Sequence, residues 1–180
     1  MRKTVGPFEF EDMDPLERDV PVWTFEDYQA AVGKEIGVTA WHEVTQEEVD
    51  GFAVCTDDRN IVHVSPEGAK GRGLDGTIAH GFYTLSLLAG FAYQVTPMAK
   101  GAVMGLNYGL DKVRFIAPVP VGSRVRGRIT VADARMKADT LIVTWDATVE
   151  IEGREVASGG KPALAAIWLS HIQLGEEATA

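Results

Sequence analysis

The 180-residue chain has a single cysteine, Cys55, so no disulfide can form within it. So sparse a use of thiols fits a reducing compartment, and a cytoplasmic location is the expectation. Cations are also short: 17 Lys and Arg stand against 26 Asp and Glu, for a formal net charge of −9. Phosphate contacts need clustered Lys and Arg, so a general nucleic-acid binder is excluded. No apolar signal core follows the first residues, Met1 to Pro7, and secretion is not expected. No internal repeat or low-complexity segment is visible.

Charge is missing altogether from Gly76 to Ala99. That length could span a bilayer. Its content points elsewhere, because His80, Tyr83, Thr84, Ser86, Tyr93, Gln94, Thr96 and Pro97 all fall inside it. A helix that is apolar on most sides yet dotted with small polar groups belongs in a protein core. The expectation is a buried helix from near His80 to about Tyr93, ended by Pro97, and no membrane partner.

Around that helix the chain divides as follows. Residues 1–20 are charged and carry Pro7 and Pro15, which suits an extension that is loose or laid over the surface. The domain proper is expected over 21–172, with a tail over 173–180. Trp23 to Val32 has helical spacing, stopped by Gly33. Gly37 to Val44 reads as an unevenly alternating strand. Thr45-Gln46-Glu47-Glu48 is a capping-box signature, and the helix after it should end near Asp57-Asp58. Cys55 reads as a core residue of that helix. Arg59 to Asp75 is polar, rich in glycine and proline, and expected to be mostly loop. Val103 to Phe115 is a long extended run. Arg124–Val131 and Leu141–Ile151 alternate as half-exposed strands, and Glu152-Gly153 should turn the chain into a last strand over Glu155–Leu169. Consecutive antiparallel strands can curve around one long apolar helix, which gives an α+β domain.

Two passages carry a resemblance. The first is Thr56-Asp57-Asp58-Arg59-Asn60-Ile61-Val62-His63-Val64-Ser65-Pro66-Glu67, and the second is Gly76-Thr77-Ile78-Ala79-His80-Gly81-Phe82. With Met104–Phe115 and Pro118–Gly122, they resemble the MaoC-like (R)-specific enoyl-thioester hydratases and dehydratases, in the nodulation-protein-N-like branch. The resemblance covers roughly Glu35 to Leu169. It implies a hot-dog fold, a curved antiparallel sheet wrapped around a long central helix. It implies a homodimer or a higher even oligomer, with sites at the interface. It implies a hydro-lyase that adds water to, or removes it from, an acyl thioester carried on CoA or an acyl-carrier protein. No further cofactor is implied. Two positions depart from the family pattern: Asp57 stands where the family has Gly, and Ile61 where it has Pro.

The resemblance makes Asp58 and His63 the acid–base pair, while on spacing alone each could be an ordinary turn or loop side chain. Asn60 would orient the carboxylate or fix the loop. Gly81, at a helix N-terminus, would offer its amide to the thioester oxygen, or else allow close packing. His80, Tyr83, Thr84 and Ser86 are candidates for the substrate pocket, with hydrogen bonding or packing as their plainer roles. His42 and His171 read as incidental, and the four histidines show no metal-ligand spacing, so no metal is expected. Lys70 and Arg72, or the triplet Arg124, Arg126 and Arg128, could meet CoA phosphates. Two other readings stay open: a thioesterase on the same fold, and a non-catalytic acyl-binding subunit.

Overall fold

A computed structural model describes residues 2–5 and 8–175. In chain order the elements are β1 (Arg2–Val5), β2 (Phe8–Glu11), β3 (Val22–Trp23), α1 (Phe25–Ala30), β4 (Glu35–Val38), β5 (His42–Glu43), α2 (Gln46–Thr56), α3 (Ile61–Val64), α4 (Pro66–Lys70), α5 (Gly81–Val95), β6 (Met98–Ala99), β7 (Ala102–Phe115), β8 (Arg124–Lys137), β9 (Thr140–Ile151) and β10 (Leu164–Leu174). A short 3-10 turn, Val156–Ser158, precedes β10.

The main sheet runs β4-β8-β9-β10-β7, and β5 shares the β8 edge with β4. Its pairs are all antiparallel. The alternation in β8 and β9 explains the sheet's inner face. Val125, Ile129 and Val131 of β8 and Leu141, Val143, Trp145, Ala147 and Val149 of β9 are buried. They pack with Leu88, Phe91 and Ala92 of α5 in two adjoining clusters. Burying side chains of this size contributes about 1.5–3 kcal/mol each, which makes the α5–sheet contact the main source of stability. This is the hot-dog arrangement, and it is an α+β fold.

α5 holds 15 residues. At about 1.5 Å per residue it falls well short of a hydrocarbon layer about 30 Å thick. Among the described residues no helix is long and apolar enough to cross a membrane. Two glycines set how closely α5 lies on the sheet. A Cβ at Gly127 would stand 2.9 Å from Phe91 Cβ, and one at Gly37 would stand 2.7 Å from Val95 Cβ.

Several expectations are corrected. The expected strand over Gly37–Val44 is two short ones, β4 and β5, interrupted where the Thr39 hydroxyl takes the Gly127 amide. The stretch after Asp58 is not mostly loop, because Asn60 and Ser65 cap two short helices there. The last strand starts at Leu164, not Glu155; Gly159 takes a φ of 81°, a left-handed turn that a strand cannot contain. Cys55 is exposed. It lies off the buried face of α2, which is carried by Val49 and Ala53. In the N-terminal extension, Arg18 donates to the carbonyls of Tyr93 and Thr96 at the C-terminal end of α5. The tail beyond Gly175 lies outside the described residues.

Gly127→Ala is expected to lower stability by about 1–3 kcal/mol, because α5 must shift to admit the methyl group. Urea unfolding of the variant checks this; an unchanged midpoint would contradict the close approach.

Candidate active site

The expected pair sits on opposite ends of one short turn. Thr45 caps α2 in a reciprocal box with Glu48, as the sequence signature implies. The helix stops at Asp57, which adopts φ 61°, ψ 13°, in the left-handed region. Glycine takes that conformation at least cost, which is the physical sense of a Gly at this position. The Asp57 carboxylate turns out to Arg59, 2.9 Å away, with both side chains exposed. Asp58 follows and is exposed.

Asn60 caps α3 by accepting the Val62 amide on its side-chain oxygen. It fixes the loop, and its side-chain oxygen is occupied with that task. α3 carries His63, which is held from both ends. Its Nδ1–H donates to the Ile78 carbonyl at 2.7 Å, and its own carbonyl accepts from Gln46 Nε2 at 2.8 Å. The Val62 carbonyl accepts the Ile78 amide at 3.0 Å, which ties α3 to the segment leading into α5. Because a carbonyl can only accept, Nδ1 carries the proton and Nε2 is left as the lone-pair nitrogen.

His80 is the N-cap residue of α5 but makes no side-chain cap bond. It is 2% exposed. Its Nε2–H donates 2.9 Å to the Asp58 carbonyl, so it holds the backbone of the neighbouring loop. Its ring stacks on His63, with centroids 3.8 Å apart, and Phe52 covers it at 5.1 Å. One ring nitrogen of each histidine and a carboxylate oxygen of Asp58 lie within 4.8 Å of one another. Sequence spacing gave no hint of this cluster, because residue 80 is brought to residues 58 and 63 only by the tertiary fold.

A cavity of about 280 Å³ opens beside the cluster. His63, Gly81 and Thr84 line one side, and Phe115, Ala117, Val119 and Ala163 line the other. Gly81 begins α5, where the first amides have no intrahelical acceptor and the dipole end is positive. A Cβ at Gly81 would stand 2.9 Å from the Phe115 ring, so glycine here also serves packing. Of the three helix candidates for the pocket, Thr84 lines the cavity, one helical turn after Gly81.

The other candidates lie apart from this cavity. Tyr83 is buried, and its hydroxyl meets His42 Nε2 at 3.2 Å, the same nitrogen that stands 3.2 Å from Glu48 Oε1. Burial, reinforced by the nearby Glu48 charge, pushes its phenol well above the ordinary range. His42, read as incidental, is therefore part of a cluster that joins β5, α2 and α5. Ser86 donates to the Tyr83 carbonyl and lines a separate groove with Leu88, Asn107 and Trp168. The arginine triplet is already paired: Arg124 with Glu152, Arg126 with Glu150, and Arg128 with Glu35 and Glu150. Glu150 is fully buried, and two guanidiniums and the Val156 amide offset the cost of burying its charge. Lys70 and Arg72 stay exposed.

Residues 27–152 match the MaoC like domain family. The chain is 44% identical over 149 residues to "Nodulation protein N" of Rhizobium leguminosarum bv. viciae, covering 82% of this chain and 89% of that protein. It is 46% identical over 134 residues to "3-hydroxyacyl-thioester dehydratase Z" of Mycobacterium tuberculosis, covering 72% and 88%. The structure is similar to the (R)-hydratase from A. caviae, with a TM-score of 0.62 and 23% identity over 80% of this chain and 96% of that one.

Asp57→Gly is expected to stabilise the fold by about 0.5–1 kcal/mol, since a left-handed residue loses its Cβ strain. Thermal and urea unfolding measure it. A destabilised variant would show that the Asp57–Arg59 pair outweighs the strain.

Proposed function

This chain belongs to the MaoC-like dehydratase family, and on that premise we propose that it adds water to the double bond of a trans-2-enoyl-CoA, giving the (R)-3-hydroxyacyl product, or runs the reverse dehydration. The observation that carries this reading is the convergence of Asp58 and His63 beside a cavity that Gly81 also lines.

The chemistry follows from the donors and acceptors present. Water held between the Asp58 carboxylate and His63 Nε2 loses a proton as its oxygen bonds to the β-carbon. The electron pair of the double bond moves onto the thioester, whose oxygen gains charge against the Gly81 amide at the start of α5. A proton returned from the Asp58–His63 pair to the α-carbon completes the addition of one water. His63 can pass that proton because its Nδ1–H is fixed on the Ile78 carbonyl, which leaves Nε2 with its lone pair. Asn60 and His80 act as positioning residues, the one through α3 and the other through the Asp58 carbonyl. None of these steps calls for a cofactor beyond the carrier thiol of the substrate. Exposed Lys70 and Arg72, following His63 in sequence, are the candidate cations for CoA phosphates.

The protein works as a homodimer in this reading. β7 is the last strand of the sheet, and Val103, Met104, Leu106, Tyr108 and Leu110 on it are exposed. A long apolar edge strand is a template for pairing with a second copy. A cytoplasmic location accords with the lone thiol.

Purified protein mixed with trans-2-enoyl-CoAs of increasing chain length is expected to bleach the absorbance of the conjugated double bond. Asp58→Asn and His63→Ala should each slow this by about 10²–10⁴-fold with the fold intact by circular dichroism. Release of free thiol without loss of the alkene would instead identify a thioesterase. Sedimentation velocity should give twice the chain mass; a monomer that is fully active would remove the dimer from the proposal.

A further inference from the structure

His80 has a nitrogen for which hydration provides no use. The ring is 2% exposed, and its Nδ1 is buried with no hydrogen-bond partner. An unsatisfied polar atom in such a place is costly and calls for a physical reason. Its other nitrogen, Nε2, is committed to the Asp58 carbonyl at 2.9 Å. His63 repeats the pattern, with Nδ1 committed to the Ile78 carbonyl at 2.7 Å. Both tautomers are thereby fixed, and each ring keeps one lone-pair nitrogen. Histidines that bind metals are commonly held this way, with the second ring nitrogen donating to a backbone carbonyl or carboxylate. One nitrogen from each ring and a carboxylate oxygen of Asp58 already lie within 4.8 Å of one another.

We propose that Asp58, His63 and His80 form a binding site for a divalent transition-metal cation of the zinc class, and that the bound ion switches hydration off. Two imidazoles and a carboxylate are a borderline donor set, which suits zinc and disfavours magnesium and calcium. A fourth position is left to water on the side of the cavity. Tetrahedral zinc at about 2.0–2.2 Å from its ligands sets them roughly 3.4 Å apart, so atoms now within 4.8 Å must close by up to about 1.4 Å. Asp58 can supply that movement, being exposed and next to the left-handed turn at Asp57. The stacked rings are not splayed toward one point, so the dissociation constant should be on the order of micromolar. An ion there takes the carboxylate and the imidazole that would otherwise hold water. Loss of turnover rests on the functional reading above; the binding does not.

Zinc chloride is titrated into the full chain against a chromogenic zinc chelator, and cobalt(II) is added separately for its visible spectrum. One equivalent of zinc per chain and a cobalt spectrum of mixed nitrogen and oxygen ligation are expected. His80→Gln should weaken zinc at least tenfold, whereas Cys55→Ser should leave it unchanged, since the exposed thiol is the main competing ligand. Should His80→Gln fail to fold, nitrogen NMR of the wild-type imidazoles decides: zinc must shift resonances of both His63 and His80. Zinc should also slow enoyl-CoA hydration, with recovery on adding EDTA. Binding weaker than about 100 micromolar, or unchanged by His80→Gln, would overturn the proposal. A protein that binds zinc at this site but never hydrates an enoyl thioester would uphold the site and sink the functional reading alone.

Discussion

One hydrogen bond sets the site: the His63 Nδ1–H to the Ile78 carbonyl. It fixes the tautomer, so it decides which nitrogen can take a proton. It also joins α3 to the segment that opens α5, and that segment carries His80 and Gly81. The reciprocal bond from the Ile78 amide to the Val62 carbonyl makes the join two-sided. A four-residue helix has almost no stability of its own. Here it is held because the Val62 and His63 carbonyls and the histidine ring are engaged by neighbours, and Asn60 caps its start. The proposed acid–base pair is thus held by the start of the central helix and not by the loop's own preferences.

That dependence extends outward. α5 is placed by two glycines on the strands beneath it and by the apolar faces of β8 and β9. α2 is placed by the Tyr83–Glu48–His42 cluster and by Phe52, which leans on both Tyr83 and His80. The end of α2 then delivers Asp57 and Asp58. Core packing and site geometry therefore share the same residues, and a disturbance at the α2–α5 contact would reach the Asp58 carbonyl through His80.

Much of this was legible in the residues. The Thr45–Glu48 box, the uncharged run of α5 and the alternation of β8 and β9 express local rules, and local rules can be read from sequence. The two short helices after Asp58 escaped, although Asn60 and the Ser65-Pro66 step were cap signals for them. Their length is set by tertiary partners, which no local pattern contains. Cys55 was misplaced because a single apolar residue near the end of α2 was counted inward when the 49–53 spacing points it out. The pairing of Arg124, Arg126 and Arg128 with Glu152, Glu150 and Glu35 depends on strand register, which the residues alone did not reveal. The site followed the same division. Asp58, His63 and Gly81 stood out through motif resemblance, while the stacking of His80 on His63 needed the folded chain.

The most direct measurement of the central claim is a crystal structure of the protein with a trans-2-enoyl-CoA or its hydration product bound. The hydroxyl or attacking water is expected within hydrogen-bond distance of both the Asp58 carboxylate and His63 Nε2, with the thioester oxygen on the Gly81 amide. A thioester lodged elsewhere, with the cavity at Gly81 filled by solvent, would contradict it.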